Sequence, residues 1–221
     1  NWGVDGMPSI HVRDTEYGYY YGSKRDLGDK GYNWRLTQWI LPSSSIIPHA
    51  QYPISSRAYI PIDDEHTFVF GTSYNPEAPM TAEQCEYLET GLGAAPKLIP
   101  GSFLPEVNRD NGFMLDRDVQ RRSSATGIPG INNQDRAIIE SMGPIVDREN
   151  EHLGTSDTAV IVARRKLIKL ARAIADGHEF ELPFNPSLFS VRAIDVTSPS
   201  EELDEVVDAN RAALRWPVEN G

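Results

Sequence analysis

One carboxylate stands out among the residues of this sequence that could bind a metal or a substrate. Asp135 lies in the run 130–148, directly after a stretch rich in glycine, proline and asparagine, where a helix-like pattern begins. A carboxylate just inside the start of a helix is well placed to reach into a cavity. The same position also suits a carboxylate that only interacts with the helix dipole, and taken alone that second explanation is the more common one.

The other residues with metal-binding or nucleophilic side chains lack the spacing of a recognisable site. No two of the five histidines lie within five residues of each other. His152 precedes Leu153 and Gly154 at an expected helix end, where a histidine interacts with free carbonyl groups. Cys85 is the only cysteine, which excludes an internal disulfide and, without a neighbouring histidine, indicates an inert thiol.

Length and composition describe an acidic, globular chain. Its 221 residues are enough for one domain with a real core, or for one and a half small ones. Apolar residues make up 39% and charged residues 24%, which is typical of a folded protein. The net charge of −11 argues against nucleic acid and anionic membranes as partners, since both require a basic face. No run approaches the length of a membrane span, and a single cysteine suits a reducing cytoplasm.

The first half of the sequence predicts antiparallel strands. A turn rich in carboxylates at residues 63–65 should join two of them as a hairpin, and residues 42–53 should form a loop or an irregular crossing. The tyrosines of the first strand are expected to pack on the sheet. The aromatic-rich or alternating pattern of half-buried strands occurs in four segments: 17–23, 34–41, 57–62 and 66–74.

A capping box predicts the first helix. The box occupies residues 81–84, and the helix should end near Gly91. Residues 95–130, rich in glycine, proline and asparagine, predict long loops with short helical pieces around 115–122. Loops of that length inside a compact domain are usually functional or disordered.

The second half of the sequence predicts two further helices before the tail. One runs from about Gln134 and is interrupted at residues 143–144, where proline breaks the hydrogen-bond ladder. The other is the longest element, capped by Ser156 and ended by Gly177, and should span about 30 Å. Its apolar stripe is predicted to consist of Val160, Ile161, Leu167, Ile168, Ala171 and Ile174.

The tail predicts a short acidic helix. Ser200 can cap it, and the carboxylates at 201–202 suit its first turn. Val206, Ala209 and Leu214 give this helix a weak apolar face. Together with the strands and the long helix, the pattern predicts an α+β fold in which an antiparallel sheet wraps around one long helix.

Several short sequence motifs occur together in a recognisable order. Motifs that are individually weak surround Tyr17 and occupy residues 34–38 and 61–65, with further ones at 116–117 and 120–121. The strong ones are the Gln-Asp pair that ends in Asp135 and the motif Glu-His-Leu-Gly at residues 151–154. In this order the motifs resemble the C-terminal catalytic domain of Rieske non-heme iron ring-hydroxylating oxygenases, in the phthalate dioxygenase branch, with coverage to about residue 177.

The resemblance implies a fold and a set of site residues. It implies a helix-grip (Bet v 1/START-like) domain, here a partial one at residues 1–177, followed by an extension at 178–221. Asp135 would be the carboxylate ligand of a mononuclear Fe(II), which two histidines complete. Candidates for substrate binding precede it: Ile128, Ile131 and Asn132. A core role for the two isoleucines, and a helix-capping role for Asn132 or Asn133, stay open as alternatives.

The resemblance also implies an activity and partners. Members of this family use O₂ and electrons that an NAD(P)H-dependent reductase or ferredoxin delivers through a [2Fe-2S] Rieske cluster. They hydroxylate or demethylate aromatic compounds. An aromatic acid is the expected substrate here, and the forked guanidinium of Arg25 or Arg35 could bind its carboxylate. The expected assembly is a homotrimer in the cytoplasm.

Two features of the family are missing from these 221 residues. A Rieske cluster requires two cysteines and two histidines, and the pair of iron-binding histidines, four or five residues apart, is also absent. Because the sequence does not begin with methionine, we expect it to be the C-terminal piece of a longer oxygenase, inactive by itself. The alternatives are a non-catalytic helix-grip module that binds an apolar or aromatic ligand, and a degenerate structural subunit.

Overall fold

The fold is α+β, as predicted. The computed structural model describes residues 6–49, 53–180 and 184–216. A seven-stranded antiparallel sheet and a long helix toward the C-terminal end are its main elements, which is consistent with a helix-grip arrangement. None of the helices in the described ranges is both long enough and apolar enough to cross a membrane.

The sheet is organised around its third strand. In order along the sheet, β1 to β6 follow the chain, and β7 returns to pair with β3 beside β4. β3 pairs with β2 along its whole length, with Tyr21 opposite Thr37, and with β7, with Trp34 opposite Val196. The strands are β1 (Ser9–Thr15), β2 (Gly18–Asp26), β3 (Tyr32–Ile40), β4 (Ser44–Ile47), β5 (Ile54–Pro61), β6 (Thr67–Tyr74) and β7 (Ile194–Ser198).

The four predicted strands are confirmed, and so is the hairpin turn between the third and fourth of them. In that turn the carboxylate of Asp63 accepts hydrogen bonds from the backbone N–H groups of Glu65 and His66. The loop predicted at 42–53 is wrong over Ser44–Ile47, which pairs with both β3 and β5. Its serines suggested a turn, but strand partners distant in sequence decide the conformation. Residues 50–52 of that segment lie outside the described ranges.

Five α-helices accompany the sheet. The capping box of α1 is confirmed, because Thr81 Oγ1 accepts from Gln84 N at 3.2 Å and Gln84 Oε1 accepts from Thr81 N at 2.9 Å. The short helical piece predicted before Ser123 is also confirmed. The helices are α1 (Ala82–Glu89), α2 (Arg117–Arg122), α3 (Ile131–Ser141), α4 (Thr158–Ala175) and α5 (Leu203–Ala209).

The long helix α4 ends where predicted but begins and packs differently. Gly177, at φ +83°, follows its last turn. Ser156 does not cap it, since that residue lies inside a preceding 3-10 turn, Thr155–Asp157. The small side chain of Ala159 lets the helix approach the sheet. The backbone carbonyl of Ala159 accepts a hydrogen bond from Tyr19 Oη at 3.0 Å.

The apolar stripe predicted for α4 is wrong. Four of its members, Val160, Leu167, Ile168 and Ile174, are 38–61% exposed. The half-buried side of the helix instead carries Ala159, Ala163, Lys166, Leu170 and Ala173, at i, i+4, i+7 spacing. On that side Lys166 Nζ lies 3.1 Å from a carboxylate oxygen of Asp14 on β1. Contacts with the sheet, rather than bulk of the side chains, determine which face is covered.

The chain divides into two compact units. The first comprises the described residues up to Ala58 and from His152 onward, and the second is Tyr59–Glu151. The first unit contains β1 to β4, most of the sheet's buried side chains, α4, β7 and α5. The predicted boundary between residues 177 and 178 concerns the extent of the resemblance and stays a prediction.

The tail completes the core of the first unit. Leu203 and Val206 of α5 are 1% and 0% exposed and pack with Trp34 and Leu36 of β3, so the apolar face predicted as weak is a central part of the core. A Cβ on Gly22 would lie 2.8 Å from Leu203 Cδ1, which explains the glycine in β2. Ser200 does not cap α5 as predicted: Glu202 is the N-cap, and Ser200 Oγ accepts from its N–H at 3.0 Å.

Replacing the tail's anchor should destabilise the first unit. Leu203→Ala should lower the free energy of unfolding by about 2–5 kcal/mol, because it leaves a cavity beside Trp34. Asp208→Ala on the same helix removes only an exposed ion pair with Arg211 and should cost less than about 1 kcal/mol. Urea denaturation measures both. Equal effects of the two substitutions would contradict the role of Leu203 in the core.

Alkaline pH should destabilise the fold through Tyr17. Burial raises the pKa of its hydroxyl to about 12, from an ordinary value of about 10; the same hydroxyl donates to Gln38 Oε1 at 2.6 Å. The pKa of Tyr17 is higher in the folded state than in the unfolded state. Its neutral hydroxyl therefore contributes fully to the free energy of unfolding below about pH 10, and this contribution is lost as the pH rises toward about 12. Tyr17→Phe should therefore show a smaller decrease in unfolding free energy over that interval. An unchanged decrease would rule the contribution out.

Candidate metal site at helix α3

Helix α3 begins earlier than predicted. Its first residue is Ile131 rather than Gln134, and Gly130 precedes it as the N-cap with φ +77°. A Cβ on Gly130 would lie 3.0 Å from Leu92 Cα, so only glycine fits this left-handed, tightly packed junction. Asp135 is therefore the fifth helical residue, beyond the first turn, and within the described ranges its carboxylate accepts no hydrogen bond from the N–H groups of the helix start.

The Asp135 carboxylate is exposed on an apolar face of α3. Ile131, Ile138, Ile139 and Met142 surround it at helical spacing and are 50–66% exposed. Within the described ranges, neither oxygen of Asp135 accepts a hydrogen bond or takes part in an ion pair. A carboxylate without an internal partner keeps its lone pairs available for an external cation.

The opposite face of α3 is anchored to the loop that precedes it. Asn133 is 2% exposed, and its Nδ2 donates to Pro129 O at 2.8 Å. Its Oδ1 is buried and has no donor among the described residues. The helix-capping role considered for Asn132 or Asn133 is wrong, because the N-cap is Gly130 and both asparagines lie inside the helix, where their amides donate to Gly93 O and Pro129 O.

Side chains on both flanks of Asp135 also hold the helix. Gln134 Nε2 donates to Ile128 O at 3.0 Å, and the amide of Asn132 donates to Gly93 O. Arg136, directly after Asp135 in the sequence, donates from its guanidinium to Val107 O, and its Nε lies 3.0 Å from Glu140 Oε1. Burial lowers the pKa of Arg136, and the neighbouring carboxylate of Glu140 opposes that effect.

The structure places the three predicted substrate-binding residues near one another along the chain but in different settings. Ile128 is half-buried in the preceding loop, whereas Ile131 projects from the exposed apolar face one turn before Asp135. Asn132 is half-buried, with its amide used by Gly93. Their role in substrate binding stays a prediction.

Gln134 and Arg136 were not among the predicted residues of this site. Their side chains link α3 to backbone carbonyls 6 and 29 residues away in sequence. The available signal was the continuous polar run at residues 132–136, since five consecutive polar side chains cannot all face solvent on one helix.

The arginines considered as carboxylate partners lie in the first unit. Arg35 Nη2 donates to Pro48 O at 2.8 Å, and its Nε lies 3.3 Å from Asp195 Oδ2. Asp195 on β7 therefore already neutralises part of its charge. Arg25 also has an interaction partner in the fold.

The described residues do not contain a complete set of metal ligands. They contain no group of three or more histidine, cysteine, aspartate or glutamate side chains that could together hold a metal ion. The exposed carboxylate of Asp135, which has no partner within the described ranges, has the chemistry of a hard oxygen ligand and suits one position of a 2-His-1-carboxylate Fe(II) site.

Comparison with known proteins identifies relatives over most of the chain. A family described as "LigXa C-terminal domain like" matches residues 2–186. The phthalate 4,5-dioxygenase oxygenase subunit of Pseudomonas putida is 33% identical over 186 residues, which covers 80% of this chain and 42% of that protein. The 3-chlorobenzoate-3,4-dioxygenase oxygenase subunit of Comamonas testosteroni is 28% identical, covering 75% of this chain and 41% of that protein. The chain thus spans less than half the length of these relatives.

The junction at Gly130 should be sensitive to added bulk. The control is Gly143→Ala, which introduces a Cβ at a residue with φ +89° where the Cβ meets open space. It should cost about 1–2 kcal/mol of unfolding free energy. Gly130→Ala should cost at least about 1 kcal/mol more, because the new Cβ displaces the backbone at Leu92. Chemical denaturation of both variants checks this. Equal costs would show that the contact with Leu92 does not constrain the helix start.

Proposed function

The chain belongs to the LigXa C-terminal domain-like family, the C-terminal catalytic domain of Rieske-type oxygenases, and on that premise we propose its activity. It forms part of an oxygenase that hydroxylates or demethylates an aromatic substrate with O₂ and electrons from a reductase. The substrate is proposed to be an aromatic acid, because both relatives are named for one, phthalate and 3-chlorobenzoate.

The observation that carries this proposal is the state of Asp135. Its carboxylate is exposed, has no partner within the described ranges, and lies on a helix that is anchored by hydrogen bonds on three sides. We assign to it the carboxylate position of a mononuclear Fe(II) site. When bound, the iron would supply oxygen activation. Asp135 would bind the iron through a hard anionic oxygen.

The remaining ligands are proposed to come from other parts of the protein. No group of three ligands exists among the described residues, and the sequence has a single cysteine, whereas a Rieske [2Fe-2S] cluster requires two cysteines and two histidines. The proposal therefore places two iron-binding histidines and the cluster outside these 221 residues. By itself this chain is expected to be inactive.

Three side chains are proposed to contact the substrate. Ile131 is exposed on the Asp135 side of α3 and offers an aliphatic surface to an aromatic ring. Ile128 in the preceding loop would extend that surface. The side-chain amide of Asn132 has two N–H donors and an oxygen acceptor. Because one N–H group donates to Gly93 O, the oxygen and the second N–H remain for a polar substituent of the substrate.

The proposed partners follow from the proposed reaction. An NAD(P)H-dependent reductase or a ferredoxin would deliver the electrons, and a homotrimer would bring the cluster of one subunit close to the iron of its neighbour. The cytoplasm, where such reductants are available, is the proposed location.

A second function is favoured by one observation. The described residues contain no group of three side chains that could together hold a metal ion, and a helix-grip module that binds an apolar or aromatic ligand without catalysis would not require one. Metal binding by the complete protein separates the two functions.

Replacing Asp135 should remove the mononuclear iron. In the complete protein, Asp135→Ala should lower this iron from about one per chain to near zero and abolish turnover, because one of three ligands is lost. Asp147→Ala is the matched control, since that exposed carboxylate is already hydrogen-bonded to Glu149 N and Asn150 Nδ2. Iron analysis and circular dichroism measure metal content and folding. Wild-type iron content in a folded Asp135→Ala protein would refute the assignment.

A further inference from the structure

We propose that Asn132, Gln134 and Arg136 are positioning residues that fix the direction of the Asp135 carboxylate. The inference rests on the proposed function, because it assigns these residues a role toward the metal that Asp135 would bind. Their contribution is mechanical: they hold α3 against rotation and translation, and Asp135 moves with the helix.

Asp135 has no direct orienting partner among the described residues. Carboxylates that bind metals are usually hydrogen-bonded by a second group, which fixes their direction and tunes their basicity. Within the described ranges no side chain or backbone N–H does this for Asp135. Its direction therefore depends on where the helix backbone places it.

The geometry of helix α3 places these side chains around Asp135. Successive residues are about 100° apart around the axis, so Gln134 and Arg136 project to opposite sides of Asp135. Gln134 holds one side through Ile128 O, and Arg136 holds the other through Val107 O. Rotation of the helix in either direction would break one of these two hydrogen bonds. Asn132, one turn earlier, adds a third attachment at Gly93 O.

Two of the three attachment points are themselves held by backbone hydrogen bonds. The loop at Val107 is closed by a hydrogen bond from Glu106 N to Lys97 O at 2.8 Å. The loop before Ile128 is closed by one from Asp116 N to Gly127 O at 3.0 Å. The long segment between α1 and α3 thus forms a scaffold around the first two turns of α3.

Positioning and ordinary stabilisation have different consequences for metal binding. A hydrogen bond that only stabilised the fold could be lost without changing the metal's affinity for the folded protein. A bond that positions a ligand cannot, because a carboxylate displaced from its direction binds more weakly. Loss of a group that orients a metal ligand typically weakens metal binding about 10- to 100-fold.

The test replaces donors by acceptors of nearly the same shape. Gln134→Glu and Asn132→Asp each put an oxygen opposite a backbone carbonyl and so repel the attachment point. The matched control is Gln120→Glu, whose amide also donates to a loop carbonyl, Ala125 O at 3.3 Å, but on α2. Co(II) serves as the probe in the complete, iron-depleted protein, with titration followed by visible absorption. The melting temperature of each metal-free variant is measured alongside.

The expected result is a 10- to 100-fold weaker affinity for Co(II) in Gln134→Glu and Asn132→Asp, with altered absorption bands. Gln120→Glu should bind within about twofold of wild type. A lower melting temperature with unchanged Co(II) affinity in both α3 variants would overturn the inference, and so would an equal loss in the control. If one variant fails to fold, the other decides.

Asp135→Ala separates failure of this inference from failure of the proposed function. If Asp135→Ala binds Co(II) like the wild type, the proposed metal ligand itself is wrong. If Asp135→Ala loses Co(II) while Gln134→Glu and Asn132→Asp keep it, only the positioning role is wrong.

Discussion

The attachment of helix α3 to the loops around it is the constraint on which the candidate site depends. Asp135 lies in the middle of an exposed apolar face and receives no hydrogen bond within the described ranges. A metal ligand in such a position is only as well placed as the backbone that carries it. Hydrogen bonds from the side chains at positions 132, 133, 134 and 136 to loop carbonyls supply that placement. This arrangement also explains the glycine before the helix, where any side chain would meet Leu92.

The sheet of the first unit depends on a different set of contacts. β3 carries Trp34 and Leu36, which form one buried cluster with Leu203 and Val206 of α5. Part of this core therefore comes from residues beyond 186, where the family match ends. The tail is an integral part of the fold in this chain, and a hydrogen bond from Trp34 Nε1 to Ser200 O at 2.9 Å fixes its path. The region that carries Asp135 belongs to the second unit and has its own supporting contacts.

Several features encoded within a few residues were predictable from the sequence, although the helix caps predicted at Ser156 and Ser200 are wrong. The capping box at Thr81, the turn at Asp63 and the end of α4 at Gly177 each depend on neighbours three or four residues away, and all three are confirmed. Features that depend on distant partners were not. Strand β4 was missed because its pairing residues lie on β3 and β5.

The site shows the same division between local and distant effects. Asp135 was singled out by its local sequence context, but its distance from the helix start and its lack of a hydrogen bond required the structure. The apolar stripe of α4 was assigned to the wrong face, since Tyr19 and Asp14 on the sheet select the side with small residues. The partners of Gln134 and Arg136 are backbone carbonyls, which side-chain patterns do not reveal.

The measurement that tests the central claim most directly is the location of iron in the complete protein. Crystals of the iron-loaded protein, with diffraction data collected at the iron absorption edge, would show each iron atom and the residues bonded to it. The account predicts a mononuclear iron bonded to a carboxylate oxygen of Asp135, with α3 attached to its loops as described. A mononuclear iron held without Asp135 would contradict it.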